Sequence, residues 1–332
     1  MAVHAWIADF MISMLHSLTG SLGAGHRHVV PYPARTYLLA IGMALGGVLV
    51  GCAGPTASPA ATTQSQLSAG SGTPGKLTGA IGNADLAVGQ DQRFQLVLIG
   101  PDNALVSDAS VGVAFFKVNG PSSADLKFQA PTEYEETPGL PGHGLYVARA
   151  TFDEPGQWGV VADVQEPGAD PTQLRLAFTV KDHSYTPQVG QPVPASQTPT
   201  GTTPEEIAKF SSAQPADPAF YRLSIASALA QHKPLVVLFA SPGFCTSRTC
   251  GPSMDVLADL HQQFGDDVNF IHVEIYKDAH PPDTASAVTE WGLPSEPWMF
   301  VVGPDGRLVQ KFEGVIRTED VAPVVGSLLG AA

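Results

Sequence analysis

Residues 234–253 read PLVVLFASPGFCTSRTCGPS, and the order of residue types in this stretch decides the fold of the second half of the chain. Leu235 to Ala240 is a continuous apolar run of strand length, without the alternation of a strand that faces water on one side. Such runs belong to a sheet covered on both faces. Two cysteines follow, and then Gly251-Pro252, good chemistry for opening a helix because proline tolerates the first turn. Met254, Val256, Leu257, Leu260 and Phe264 then recur at helical spacing.

Outward from this unit, a helical pattern through Ile225, Ala226, Leu229 and Ala230 precedes the strand. The strand NFIHVEIY from Asn269, the strand WMFVV from Trp298, the turn PDG at 304, the strand RLVQKFEG from Arg307 and a helix from Thr318 follow it. Helices and strands in this order predict an α/β sandwich over residues 204–332.

Residues 79–182 have a different rhythm. Phe94, Leu96 and Leu98 alternate with polar or smaller neighbours, as do Val111, Val113 and Phe115; Tyr146, Ala148, Ala150 and Phe152; Trp158, Val160, Ala162 and Val164; and Leu174, Leu176, Phe178 and Val180. Period-two runs separated by Pro/Gly/Asn turns predict an antiparallel β-sandwich. The stretch GLYVARATFDEPGQWGVVADV loosely resembles the immunoglobulin-like domains of exported bacterial proteins, which by itself says little of function. Residues 183–203, rich in Pro and Thr, read as a semi-extended linker that holds the two domains apart. The protein is therefore expected to be multidomain: an all-β Ig-like sandwich followed by the α/β unit.

Ahead of the sandwich, Tyr37 to Val50 is an uncharged apolar run behind Arg27 and Arg35, the pattern of a secretory signal and shorter than a bilayer span. It ends in Leu49-Val50-Gly51-Cys52, which resembles the lipobox of bacterial lipoproteins. That resemblance implies a signal region over 1–51, diacylglycerol on the Cys52 thiol and cleavage just before it. Residues 52–78, small and polar, read as a flexible tether, and the protein is expected to sit lipid-anchored on the extracytoplasmic face of the cell membrane. Residues 1–28 fit this pattern poorly and raise the expectation that synthesis starts near Val29 or Val30.

With 31 acidic and 17 basic side chains among 332 residues, the net charge is −14. No basic footprint for nucleic acid exists in such a balance, and a hydrophobic content of 44% rules out wholesale disorder. No phosphate-binding Gly-rich loop or nucleophile elbow appears. Three cysteines are too few for a disulfide-stapled fold, so each needs its own explanation.

The strand ending in Phe239-Ala240-Ser241-Pro242, the cysteine pair, the helix, and Leu293-Pro294-Ser295-Glu296-Pro297 ahead of a strand together resemble the thioredoxin fold, and most of all its exported, membrane-tethered members. The resemblance implies redox-active Cys245 and Cys250 at a helix N-terminus, where partial positive charge favours thiolate. Cys245 is the favoured attacking thiol and Cys250 the resolving one. It further implies a cis-proline at Pro297 facing the pair, with Pro297 and Glu296 beside an extended substrate. Arg248 would favour thiolate if it points at the sulfurs, and Glu296 would oppose it. The sequence departs from the family in spacing the cysteines by four residues, in carrying Val237 and Leu238 where relatives hold an acid, and in placing Glu296 before the proline. Five positions along one helix rise about 7.5 Å, beyond the roughly 4.4–6.8 Å between the Cα atoms of a disulfide, so residues 245–249 must form a turn.

The implied activity is thiol–disulfide exchange on exported proteins, with a membrane electron donor as a candidate partner and no organic cofactor or metal. Two alternatives stay open: a binding module whose Cys245–Cys250 bridge is purely structural, and a copper carrier using both thiols with His272, His280 or His261 as third ligand.

Overall fold

The computed structural model describes residues 76–330 and the backbone of Ser68–Ala69. The signal region and Cys52 lie outside the described residues. Thirteen strands and five helices are described. They are β1 (Ser68–Ala69), β2 (Thr78–Ile81), β3 (Gly89–Ile99), β4 (Ser110–Gly120), β5 (Ser123–Pro131), β6 (Glu133–Glu136), β7 (Gly144–Phe152), β8 (Gly156–Gln165), β9 (Thr172–Val180), α1 (Pro204–Ile207), α2 (Ile225–Leu229), β10 (Leu235–Ala240), α3 (Cys250–Phe264), β11 (Asn269–Glu274), α4 (Ser286–Glu290), β12 (Trp298–Val302), β13 (Leu308–Glu313) and α5 (Thr318–Leu329). The protein is a β-rich multidomain chain of three sheets. No helix among the described residues is long and apolar enough to cross a membrane.

Two antiparallel sheets, ordered β1-β2-β3-β7-β6 and β5-β4-β8-β9, enclose one core. The alternating residues of the sequence meet in it: Phe94, Phe115, Phe152 and Trp158 are fully buried among Leu96, Tyr146, Val160 and Leu176. Phe94 and Phe115 pack edge to face at 4.9 Å and Phe152 against Trp158 at 5.1 Å, the geometry their ring quadrupoles prefer. The Trp158 indole N–H is satisfied by the carbonyl of Glu154 at 3.0 Å.

The third sheet has the order β11-β10-β12-β13, with β10 parallel to β11 and the other pairs antiparallel. Central β10 is buried along its whole length. Its side chains divide by parity, which is why the run does not alternate in polarity. Val236, Leu238 and Ala240 face α3 and α5, whereas Leu235, Val237 and Phe239 join Trp291, Trp298 and Ile225 on the opposite face.

Two boundaries differ from the sequence reading. Residues 68–69 and 78, expected in a free tether, are strand residues: β1 pairs with Ala80 and Ile81, and Thr78 pairs with Ile99. Residues 183–203 do not hold the domains apart. They run along the C-terminal unit, with Gly190 N–H donating to the Leu308 carbonyl (2.7 Å), Leu308 N–H to Gln191 (2.9 Å) and Val193 N–H to Gly306 (3.1 Å). The exposed backbone beside β13 is thus paired by the segment, and Val193, Ser196 and Thr198 are buried.

The two units also dock directly. Glu313, at the end of β13, accepts a hydrogen bond from Ala84 N–H at 2.8 Å, and its own carbonyl accepts from the Gln95 amide at 2.7 Å. Asp85 is ringed by Lys181 at 3.1 Å, Lys311 at 3.6 Å and the N–H groups of Tyr185 and Thr186. Arg93 pairs with buried Glu135 and donates to the carbonyl of Val315, whose side chain packs on Leu145 and Val147. Composition marks Pro/Thr-rich segments as spacers, but the hydrogen-bond partners of this one set its course.

Candidate functional site

At the C-terminal end of β10 the chain leaves the sheet through a tight turn, in which the Ser241 carbonyl accepts from Phe244 N–H (3.0 Å) and Cys245 N–H (2.9 Å). A second bend follows, with Arg248 at φ +65°, a left-handed conformation that is uncommon outside glycine. The helix then begins at Cys250 itself, with Thr249 as its cap residue. This two-bend path answers the spacing problem: the Cα atoms of Cys245 and Cys250 are 6.0 Å apart and the pair is joined as a disulfide.

The two sulfurs sit in different surroundings. Cys250 is completely buried in the core between β10, α3 and α5. Cys245 is half-buried, and its sulfur lies 3.1 Å from the Ser247 hydroxyl, which in turn lies 2.7 Å from that of Thr249. Phe244 beside it is 38% exposed and meets Tyr276 edge to face at 5.8 Å. Accessible Cys245, flanked by an aromatic ring, is therefore the sulfur an incoming chain reaches first.

Across from the pair lies the loop before β12. The Glu296–Pro297 peptide bond is cis, and Oε2 of Glu296 is 3.7 Å from the Cys250 sulfur. Burial, reinforced by the nearby charge of Glu274, pushes the Glu296 carboxyl up to about 7 despite the N–H of Ser241 donating to it. Glu274, buried at the end of β11, accepts from the N–H and hydroxyl of Ser212 at 2.8 and 2.6 Å and from Ile275 N–H at 3.1 Å. The Ser212 hydroxyl also receives the Gly243 N–H at 3.0 Å, which ties the cysteine turn to the same cluster. The loop is fixed from behind, where the Ser295 hydroxyl donates to Glu313 at 3.0 Å and accepts from the Trp298 indole at 3.0 Å.

Of the residues singled out in the sequence, Cys245, Cys250, Glu296 and Pro297 come together. Arg248 does not join them: its side chain is exposed and has no hydrogen bond or ion pair among the described residues.

The histidines proposed as copper ligands lie elsewhere. His272 is locked in the core, its Nε2–H donating to the Ala240 carbonyl (3.1 Å) and its Nδ1 accepting from the Tyr221 hydroxyl (2.7 Å), with burial holding its pKa below the ordinary value. Both ring nitrogens are thus occupied. His261 packs between the rings of Phe220 and Phe270, and His280 is exposed with its Nδ1 on the Asp278 carbonyl. The two sulfurs and a Glu296 oxygen lie within 4.8 Å of one another, but sulfurs joined to each other offer no thiolate to a metal.

Sequence reading missed Ser212, Ser241, Glu274 and Tyr276. Only Glu274 left a signal, as a lone acid inside the apolar strand NFIHVEIY. The others are drawn in by the turn and by the end of β11.

Comparison with models of protein families finds no match, and comparison with curated proteins finds none. Among solved structures, a DsbF homologue from Corynebacterium diphtheriae is 20% identical, with a TM-score of 0.26, covering 30% of this chain and 76% of that one. The ZirS C-terminal domain is 13% identical, with a TM-score of 0.19, covering 48% of this chain and 98% of that one.

Proposed function

We propose that the chain is an extracytoplasmic thiol–disulfide oxidoreductase, whose C-terminal unit is a thioredoxin-like domain carried on an Ig-like sandwich and a Cys52 lipid anchor. The observation that carries this reading is the asymmetric disulfide: one sulfur within reach of solvent, the other buried, both where α3 begins and facing a cis-proline loop. A bridge that merely clipped so short a loop would add little stability and would need neither the accessible sulfur nor the facing loop.

In the reducing direction the Cys245 thiolate attacks a substrate disulfide, forming a mixed disulfide and releasing one substrate thiolate. The Cys250 thiolate then attacks Cys245, the bridge forms, and the second substrate thiol leaves with the last of two electrons. A reduced thiol donor outside the cytoplasm must restore the dithiol. In the oxidising direction the same steps run backward with a substrate dithiol as the electron source. The backbone of Glu296, just ahead of the β12 ladder and without a backbone hydrogen-bond partner among the described residues, is the place for an extended substrate segment to pair.

Equilibration with a thiol redox buffer tests the proposal. A potential between about −300 and −120 mV, with peptide disulfide reduction lost in Cys245→Ser, is expected. A potential well below that window with no exchange activity would make the bridge structural, and stoichiometric Cu(I) binding by the reduced protein lost in Cys245→Ser would favour the copper carrier.

A further inference from the structure

The strand ahead of the cysteine turn supplies only Val237, Leu238, Phe239 and Ala240, so it offers no group to take a proton from the buried thiol. Cys250 is fully buried and its helix start has no side-chain cap. Among the described residues the one titratable oxygen in contact with its sulfur is Oε2 of Glu296, at 3.7 Å. That carboxyl reaches across from the facing loop and is fixed by the Ser241 N–H. Glu274 from β11 and Tyr276 after it are the other titratable groups near it, and no cationic side chain is among its partners in the described residues.

Resting on the exchange reading above, we infer that Glu296 is the catalytic acid–base of the resolving step, supplied by the substrate-facing loop. In the mixed disulfide the Cys250 S–H bond breaks as its proton passes to the Glu296 carboxylate. The freed sulfur pair attacks Cys245, the Cys245–Cys250 bond forms, the bond from Cys245 to the substrate sulfur breaks, and the departing thiolate takes the proton back from Glu296. Two electrons go to the substrate, and the carboxylate is regenerated. Burial beside Glu274 raises the affinity of Glu296 for a proton toward neutrality, where a carboxylate both accepts from and returns to a thiol most effectively. Because this loop is also where a substrate would dock, docking and proton transfer share one residue.

The test uses the reduced full chain carrying Cys52→Ser, so that Cys245 and Cys250 are its two thiols, and an aromatic disulfide reagent whose released thiolate is coloured. The first coloured equivalent reports attack by Cys245 and the second reports resolution by Cys250. For the wild type, the second-phase rate is expected to pass through an inflection in the neutral range. In Glu296→Gln that inflection should vanish, with the phase about 100-fold slower near neutrality and rising with hydroxide; Glu296→Asp should keep the inflection with part of the rate. Second phases that superimpose for wild type and Glu296→Gln would overturn the inference while leaving the exchange reading intact. A wild type with no second phase, or one that survives in Cys250→Ser, would sink the exchange reading, and the inference with it.

Discussion

The sharpest stability prediction concerns Glu313, the carboxyl through which the two units dock. Burial pushes its pKa up to about 7 from an ordinary 4.5, even though Ala84 N–H and the Ser295 hydroxyl donate to it. The folded protein therefore holds this proton over a range in which the unfolded chain has released it. A folded-state pKa above the unfolded one means that stability is fully present below about 4.5 and is lost as pH rises through about 7. At about 1.4 kcal/mol per pH unit, the decrease between pH 5 and pH 8 is about 2 to 3 kcal/mol. Glu313→Gln removes the titration yet keeps a carbonyl oxygen for the Ala84 and Ser295 donors, both of which go to Oε1. Its amide takes the place of Oε2, where the Asn83 amide approaches only to 3.5 Å. Urea unfolding of both proteins with the disulfide intact measures the effect, and other titrating groups cancel in the difference. The variant should gain about 2 to 3 kcal/mol on the wild type between the two pH values. Parallel stability profiles would show that Glu313 is ionised in the docked interface and would refute the reasoning.

Three further outcomes are expected. For Asp85, burial alone would raise the pKa, but the Ser184 hydroxyl, Lys311 and the N–H groups of Tyr185 and Thr186 hold it down at about 2. Its contribution is present above the ordinary 3.8 and lost as pH falls through about 2, so Asp85→Asn should cost about 2 kcal/mol at neutral pH and flatten the acid limb of unfolding. Gly292 has φ +63°, and a Cβ there would lie 2.1 Å from the Tyr185 carbonyl oxygen, so Gly292→Ala should lower the denaturant midpoint by the equivalent of about 2 kcal/mol or more. Tyr221→Phe strands the buried His272 Nδ1 and should cost about 1–3 kcal/mol, read by thermal unfolding.

Much of the architecture was legible in the chain because burial on one face or two leaves a period. Phe94-x-Leu96-x-Leu98 shows a sheet with one buried face, and the unbroken Leu235–Ala240 run shows one with two. The turn between the cysteines was legible too, since five helical positions are too long for a disulfide. What stayed hidden were contacts between segments far apart in sequence. Nothing in SSADLKFQA marks β5, which is largely exposed and is held by its partner β4. Nothing in the Pro/Thr-rich residues 183–203 says that they would lie along β13.

Local order is set by each residue's own backbone preferences and by the spacing of its apolar neighbours, both written in the chain, and so the alternating strands of the sandwich, the buried strand Leu235–Ala240 and the helix after the cysteine turn follow from sequence. Electrostatic environment is set by whatever long-range folding brings within a few ångströms. The shared surroundings of Cys250, Glu296 and Glu274 and the docking carboxyl of Glu313 therefore belong to the tertiary structure, because desolvation and charge coupling exist only once distant segments have excluded water together.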